Sequence, residues 1–269
     1  MKSLKWILIL TLILSSISLI AQESLKIAGS TTVLPIAQSA AEIFMNNNPE
    51  VNISIRGGGS SVGIASLLAG TVDIGNASRH AKNKEYKLAR EKGINLTENV
   101  VAADGIAVVV NNATNVKNLT KEQIMGIYTG KIKNWKEVGG RSQRIVVLDR
   151  ESSSGTFEVF HELALDDKQA CDSALRIASN NAVVTTVSNT PGAIGYCGLG
   201  YVSNKISTVN VDGQEPTVAN IQKGDYPLSR TLHMYTNGKP KGLAKEYIDF
   251  ILSNKGQEIV AEQGFIKIK

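Results

Sequence analysis

Leu25-Lys26-Ile27-Ala28-Gly29-Ser30-Thr31-Thr32-Val33-Leu34-Pro35 sets a short apolar run against a turn of glycine and hydroxyl residues, and a helical pattern follows at once. Val33, Ala37, Ala40, Ala41 and Phe44 recur at helical spacing. Pro35 falls in the first turn, where a missing N–H costs nothing. The same order then returns. Residues 51–55 alternate as a strand, and Gly57-Gly58-Gly59-Ser60-Ser61 opens a helix through Ile64, Leu67 and Leu68 that stops at Gly70. A short strand over 72–75 carries Ser78-Arg79 at its carboxyl end. Residues 145–148 run into Asp149-Arg150-Glu151-Ser152-Ser153-Ser154-Gly155-Thr156, with a helix expected over 157–165. Short apolar strands alternating with amphipathic helices predict an α/β protein.

The rest of the chain extends this plan. Residues 105–111 form a continuous apolar strand, and a second unit starts after it. Thr120 and Gln123 make a capping box ahead of Ile124, Ile127 and Tyr128. Strands are expected at 193–196, 206–211 and 231–235, and Leu243, Tyr247, Phe250 and Ile251 mark an amphipathic helix. The economical division is one lobe of 22–104 with 231–269 and a second of 105–230, the chain crossing near Asp104 and again near 228–230.

Composition excludes several classes. In 269 residues, 42% hydrophobic and 20% charged with 24 glycines and 6 prolines, there is enough apolar material for a core, and neither disorder nor a collagen-like fold fits. Residues 1–21 read as a cleavable secretory signal: Lys2 and Lys5 precede an uncharged stretch that ends at the small residue Ala21. A membrane-anchoring helix is the alternative. No cysteine lies near the cleavage point to carry a lipid, which points to a periplasmic location. Without Lys2 and Lys5 the formal charge of +5 falls to +3, too little for a nucleic-acid partner. Lys82, Lys84, Lys87, Arg90 and Lys92 interleave with Glu85 and Glu91, as on a solvated helix face. Cys171 and Cys197 are as compatible with a disulfide as with free thiols.

The polar turns share one physical property. Each lies where a helix begins, so free backbone N–H groups and the positive end of the helix dipole face outward, and this suits an anion. Serine and threonine are also ordinary helix caps, which is the competing explanation for any single turn. Arg150 offers a planar fork to two oxygens of a tetrahedral anion, or else makes a surface ion pair with Glu151. A rival motif is Gly59-Ser60-Ser61-Val62-Gly63, which satisfies G-x-S-x-G and would make Ser61 a hydrolase nucleophile, served by His161 or His233. Only two strands precede it, fewer than a hydrolase sheet normally places there. No Walker or dinucleotide loop occurs, and three histidines without paired cysteines or acidic clusters give no metal pattern, so neither cofactor nor metal is expected.

Taken together, Gly29 to Pro35, Gly57 to Gly63, the run 104–111, the 119–135 stretch and Arg150 with Ser154-Gly155-Thr156 resemble the phosphate-binding proteins of bacterial phosphate ABC importers. The resemblance implies a periplasmic-binding-protein-like type II fold, two α/β lobes joined by two hinge strands and closing over inorganic phosphate. It also implies a monomer without catalysis that delivers its ligand to a membrane permease. By position, Ser30, Thr31, Thr32 and Ser60 match the first lobe's ligand loops, and Arg150, Ser154, Gly155 and Thr156 match the second's. Arg79 stands where well-studied members carry an aspartate that accepts the proton of hydrogen phosphate. An arginine only donates, which leaves Asp104 as the candidate acceptor, with a plain turn residue as its other reading. Ser152 replaces an acid that pairs with the arginine in some members. Both changes are expected to raise the positive potential at the anion, and with neither residue accepting a proton the pocket would admit sulfate, molybdate or arsenate.

Overall fold

The computed structural model describes residues 22–268, so the expected signal over 1–21 lies outside the described residues. Strand β1 (Glu23–Gly29), helix α1 (Leu34–Asn47), β2 (Val51–Arg56), α2 (Ser60–Leu68), β3 (Ile74–Ala77) and α3 (Asn83–Glu91) form the first run. β1 pairs in parallel with β2 on one side and β3 on the other. β3 begins later than the apolar pattern suggests, because Asp73 is drawn into a reciprocal link with β1: its carboxylate accepts from the Lys26 N–H at 2.8 Å and its own N–H donates to the Lys26 carbonyl.

The next strand, β4 (Leu96–Asn111), is 16 residues long and begins nine residues before the apolar run expected at 105–111. Its first half carries Thr97, Glu98 and Asn99, which hid it from a hydropathy reading. Beyond it lie β5 (Asn118–Leu119), α4 (Lys121–Tyr128), β6 (Val146–Arg150), α5 (Gly155–Leu165), β7 (Leu175–Ile177), α6 (Asn180–Asn189), β8 (Ala193–Gly198), β9 (Ile206–Val211) and α7 (Val218–Lys223). The chain then returns through β10 (Ser229–Asn237) and ends in α8 (Gly242–Leu252) and α9 (Asn254–Glu262). The expected capping box at Thr120 and Gln123 is present. Helix α6 was not foreseen: Val183, Val184, Thr185 and Thr186 favour a strand intrinsically, and packing overrides them.

The strand order is β2-β1-β3-β10-β4-β8-β6-β7, with β9 also on β4 and β5 on β9. β10 runs antiparallel beside β4 over 96–105, with Arg230 opposite Asp104, and beyond that point β4 pairs instead with β8 and β9. The alternating side chains of β4 explain its apolar run. Ile106, Val108 and Val110 enter a core with Tyr128, Trp135, Phe160 and Tyr196, whereas Ala107 and Val109 face Leu148, Val183 and Val187. A strand covered on both faces reads as continuous hydrophobicity. Val101 and Ala102 of the same strand belong to a separate core with Leu25, Ile27, Ile36 and Tyr247. β4 therefore ties two cores into one sheet.

Both cysteines are free thiols. Cys197 is buried in β8, and burial pushes its pKa up to about 12, so it is an inert packing residue.

Phe160 is fully buried and stacked on Tyr196 with ring centroids 3.8 Å apart. Phe160→Ala is expected to lower the unfolding free energy by about 3–5 kcal/mol in urea titration. The same truncation at exposed Leu88 should stay within about 0.5 kcal/mol of wild type.

Candidate anion-binding site

The parallel strands of both cores aim their carboxyl ends at one region, the usual place for a ligand in an open α/β sheet. The turns after β1, β2, β3, β6 and β7 supply Ser30 to Thr32, Ser60, Ser78, Ser154 to Thr156, and Asn180. Two glycines permit the close meeting. Gly59, at φ +98°, approaches the Ser153 carbonyl, and Gly155 lies against Ser60 Oγ so closely that a Cβ would overlap it. Across the gap Thr32 Oγ1 lies 3.0 Å from Thr156 Oγ1, and the Ser61 N–H donates to the Ser153 carbonyl at 3.1 Å.

At the centre is Arg150, the last residue of β6, only 1% exposed. Its Nε donates to the Ile177 carbonyl at 3.0 Å, and Nη2 to the Ala178 carbonyl at 3.1 Å and Thr31 Oγ1 at 3.3 Å. Nη1 is buried with no hydrogen-bond partner. Among the described residues no carboxylate lies within ion-pair distance of this guanidinium, so the surface pair with Glu151 does not form. Burial pulls the Arg150 pKa below its ordinary value and nearby Arg230 adds to this, although an arginine stays protonated. A buried, uncompensated cation is costly unless something negative joins it.

Most of the surrounding hydroxyls already accept one or two hydrogen bonds from the protein, which biases them toward donation. Thr31 Oγ1 accepts from Arg150 Nη2 and from Asn180 Nδ2 at 3.1 Å. Thr32 Oγ1 accepts from Asn180 Nδ2 at 3.0 Å and Arg230 Nη2 at 3.3 Å. Ser30 Oγ accepts the amides of Thr32 and Val33, and Ser60 Oγ accepts that of Ser78. Ser154 both caps α5, accepting from the Phe157 N–H at 3.2 Å, and keeps a hydroxyl proton to give. A hydroxyl has one proton and two lone pairs. With Arg150 and the free amides that open α5, the cluster is almost purely a donor set.

Two of the expected residues sit elsewhere. The guanidinium of Arg79 is turned away, donating to both oxygens of Glu85 at 2.8 Å and lying 2.7 Å from Glu158 Oε2. Burial works against its charge, but Glu85 and Glu158 outweigh this and raise its pKa, while Arg79 and the Lys82 amide lower that of Glu85. The positive potential expected from Arg79 is thus cancelled by two carboxylates. Asp104 is fully buried one layer behind Thr32. Its Oδ2 accepts from Arg230 Nε and Nη2 at 2.9 and 2.8 Å, and its Oδ1 accepts from the Leu199 N–H at 2.9 Å. Burial pushes its pKa up against the lowering by Arg230.

Sequence reasoning missed Asn180 and Arg230, which order the two threonines. Asn180 opens a helix the propensities concealed, and Arg230 lies in the 228–230 stretch that the sequence marks only as a crossing between lobes. The hydrolase motif loses its chemistry here: Ser61 Oγ donates to Glu158 at 3.3 Å and accepts from Arg79 at 3.0 Å. His161 bonds Asp149, and His233 lies beside Glu98.

Residues 16–255 match the model of the PBP superfamily domain. Phosphate-binding protein PstS of Bacillus subtilis is 39% identical over 250 residues, 92% of this chain and 82% of that protein. PstS of Borreliella burgdorferi is 34% identical, covering 92% and 91% of the two chains. A Clostridium perfringens protein described as a phosphate ABC transporter substrate-binding protein, solved with bound phosphate, superposes with a TM-score of 0.85 at 38% identity, over 92% of this chain and all of that one. An ABC-type phosphate transport receptor of Vibrio cholerae gives a TM-score of 0.74 at 35% identity, over 90% and 99% of the two chains. The chain belongs to the PBP superfamily and, within it, to the family of the PstS phosphate-binding proteins. Its fold is that of the periplasmic binding proteins.

Asp104→Ala would leave the Arg230 guanidinium buried and unpaired. A loss of about 3–5 kcal/mol of unfolding free energy is expected in denaturant titration.

Proposed function

We propose that this protein is an extracytoplasmic receptor that captures inorganic phosphate and hands it to the membrane permease of an ABC importer, with no catalytic step. The observation that carries this reading is Arg150: a buried guanidinium without a carboxylate, one nitrogen unpartnered, set among hydroxyls that already accept hydrogen bonds from the protein and so lean toward donation. Membership of the PstS family, and a relative solved with phosphate bound, support phosphate as the anion. The ligand set is Ser30, Thr31, Thr32, Ser60, Arg150, Ser154, Gly155 and Thr156. Arg79 and Asp104 act from behind it, as latch and as counter-ion to Arg230. The expected signal over 1–21 and the relatives' role together favour the periplasm, where the receptor works as a monomer.

Binding and closure are one event on this reading. The lobe of 22–104 with 231–269 and the lobe of 105–230 swing about β4 and β10, and phosphate neutralises Arg150 while being enclosed by turns from both. Glu158 of α5 then serves as a latch: it reaches Arg79 at 2.7 Å, Lys82 Nζ at 2.8 Å and Ser61 Oγ at 3.3 Å, all three belonging to the opposite lobe.

A second reading, another oxyanion on the same fold, is favoured by the donor-only character of the pocket. Hydrogen phosphate carries a proton that needs an acceptor, and with Asp104 committed to Arg230 and Leu199 the acceptors left are hydroxyl lone pairs. Titration calorimetry with phosphate, sulfate, molybdate and arsenate decides between them. Phosphate is expected to bind at least about tenfold, or roughly 1.4 kcal/mol, more tightly than sulfate; equal affinities would replace the phosphate reading with the general oxyanion one.

Arg150→Ala should weaken phosphate binding by about 2 kcal/mol or more, roughly thirtyfold in Kd. An unchanged Kd would remove Arg150 from the site. Glu158→Gln should leave the association rate nearly intact and speed phosphate release about fivefold in stopped-flow displacement, the equivalent of about 1 kcal/mol for a partly solvated ion-pair cluster.

A further inference from the structure

His80, Glu98 and His233 come from three separate stretches and meet beside a cleft of about 660 Å³ that His80 and His233 line together with Arg79, Glu158 and Arg230. His80 follows β3, Glu98 lies in the polar first half of β4, and His233 is on β10 where the pairing with β4 breaks register between Leu232 and His233. Such a bulge re-aims a side chain, and here it brings His233 beside Glu98. His80 Nδ1 lies 3.0 Å and His233 Nδ1 3.1 Å from the same oxygen, Glu98 Oε1, and the two rings are 4.7 Å apart.

The second observation concerns His233 itself. It is completely buried, and its Nδ1 has no hydrogen-bond partner although it faces the carboxylate. Its other nitrogen, Nε2, is 3.0 Å from Thr231 Oγ1. In the tautomer whose Nε2 donates to that hydroxyl, Nδ1 presents a lone pair to an anionic oxygen, and a cation held by both atoms would satisfy the pair. Histidines that bind metals characteristically donate their second nitrogen in this way, and their carboxylate co-ligands are themselves hydrogen-bonded. Glu98 meets that condition too, since Tyr235 donates its hydroxyl to Oε1.

We propose that His80 Nδ1, His233 Nδ1 and a Glu98 carboxylate oxygen form a binding site for a divalent transition-metal ion of the zinc type, separate from the anion pocket. Three ligand atoms around zinc at 2.0–2.1 Å in tetrahedral geometry stand about 3.3 Å apart. The two nitrogen–oxygen separations are 3.0 and 3.1 Å, and all three ligand atoms lie within 4.8 Å of one another. Two imidazoles and one carboxylate select zinc, cobalt or nickel over calcium or magnesium. The exposed side of His80 leaves the fourth position open to water from the cleft. A bound ion would pin the turn carrying Arg79 to β4 and β10.

The test is calorimetric titration of the untagged mature protein with zinc chloride in phosphate-free buffer, with cobalt binding followed by visible absorption. One zinc per chain is expected, calcium and magnesium should give no heat, and cobalt should show the intense d–d bands of a low-coordinate site. His80→Ala removes an exposed ligand without disturbing the core, and Glu98→Gln keeps the shape; each should weaken zinc binding about tenfold or more. Absence of zinc binding to wild type at sub-millimolar metal, or the same affinity in His80→Ala, would overturn the proposal.

Discussion

A guanidinium held almost entirely out of water, with no carboxylate beside it, organises the centre of this molecule. Burying a charge costs several kcal/mol unless a partner compensates it. Arg150 is instead held by the Ile177 and Ala178 carbonyls and by Thr31 Oγ1, which fix its direction without cancelling its charge. The compensation has to come from a small anion. The hydroxyls nearby suit the same guest, since Thr31 Oγ1 accepts from Arg150 and Asn180, and Thr32 Oγ1 from Asn180 and Arg230, which leaves both as donors, Thr32 within 3.0 Å of Thr156 Oγ1.

The buried and half-buried carboxylates near Arg150 are bound elsewhere. Asp149, its neighbour in sequence, is taken by Arg176, Tyr196 and His161, and Asp104 by Arg230 and the Leu199 amide. Glu85 and Glu158 are spent on Arg79. Charges of both signs therefore lie close to the pocket, and Arg150 is a buried one without an ionic partner among the described residues. A site built so attracts an anion without a large net charge on the protein, in keeping with a chain whose formal excess is only +5.

β4 makes this arrangement mechanically coherent. One unbroken strand belongs first to the core of Leu25, Ile27 and Tyr247 and then to that of Tyr128, Phe160 and Tyr196. The turns that meet at Arg150 are thus connected through a hydrogen-bonded spine, and the Asp104–Arg230 pair sits where the spine changes partners. The closure proposed above needs no other element than these two strands and the contacts made by Glu158.

Much was legible in the primary structure because it rests on local rules. Strand–turn–helix order, the capping box at Thr120 and the hydroxyl-rich turns at Ser30, Ser60 and Ser154 depend on residues a few positions apart, and hydropathy periodicity reports them. The early half of β4 was hidden because its polar residues Thr97 to Asn99 pair with β10, far away in sequence, and α6 because β-branched residues took a helix under tertiary pressure. Which arginine is left without a carboxylate was not a local matter either. Arg79 and Arg150 both stand at or just past the carboxyl end of a strand and ahead of a helix; only folding brings Glu85 and Glu158 to the first and withholds carboxylates from the second. Chain chemistry alone settled that donors would gather at helix starts. The three-dimensional packing decided where charge was left unmatched, because electrostatic compensation depends on distance through space and on the exclusion of water, neither of which is written along the chain.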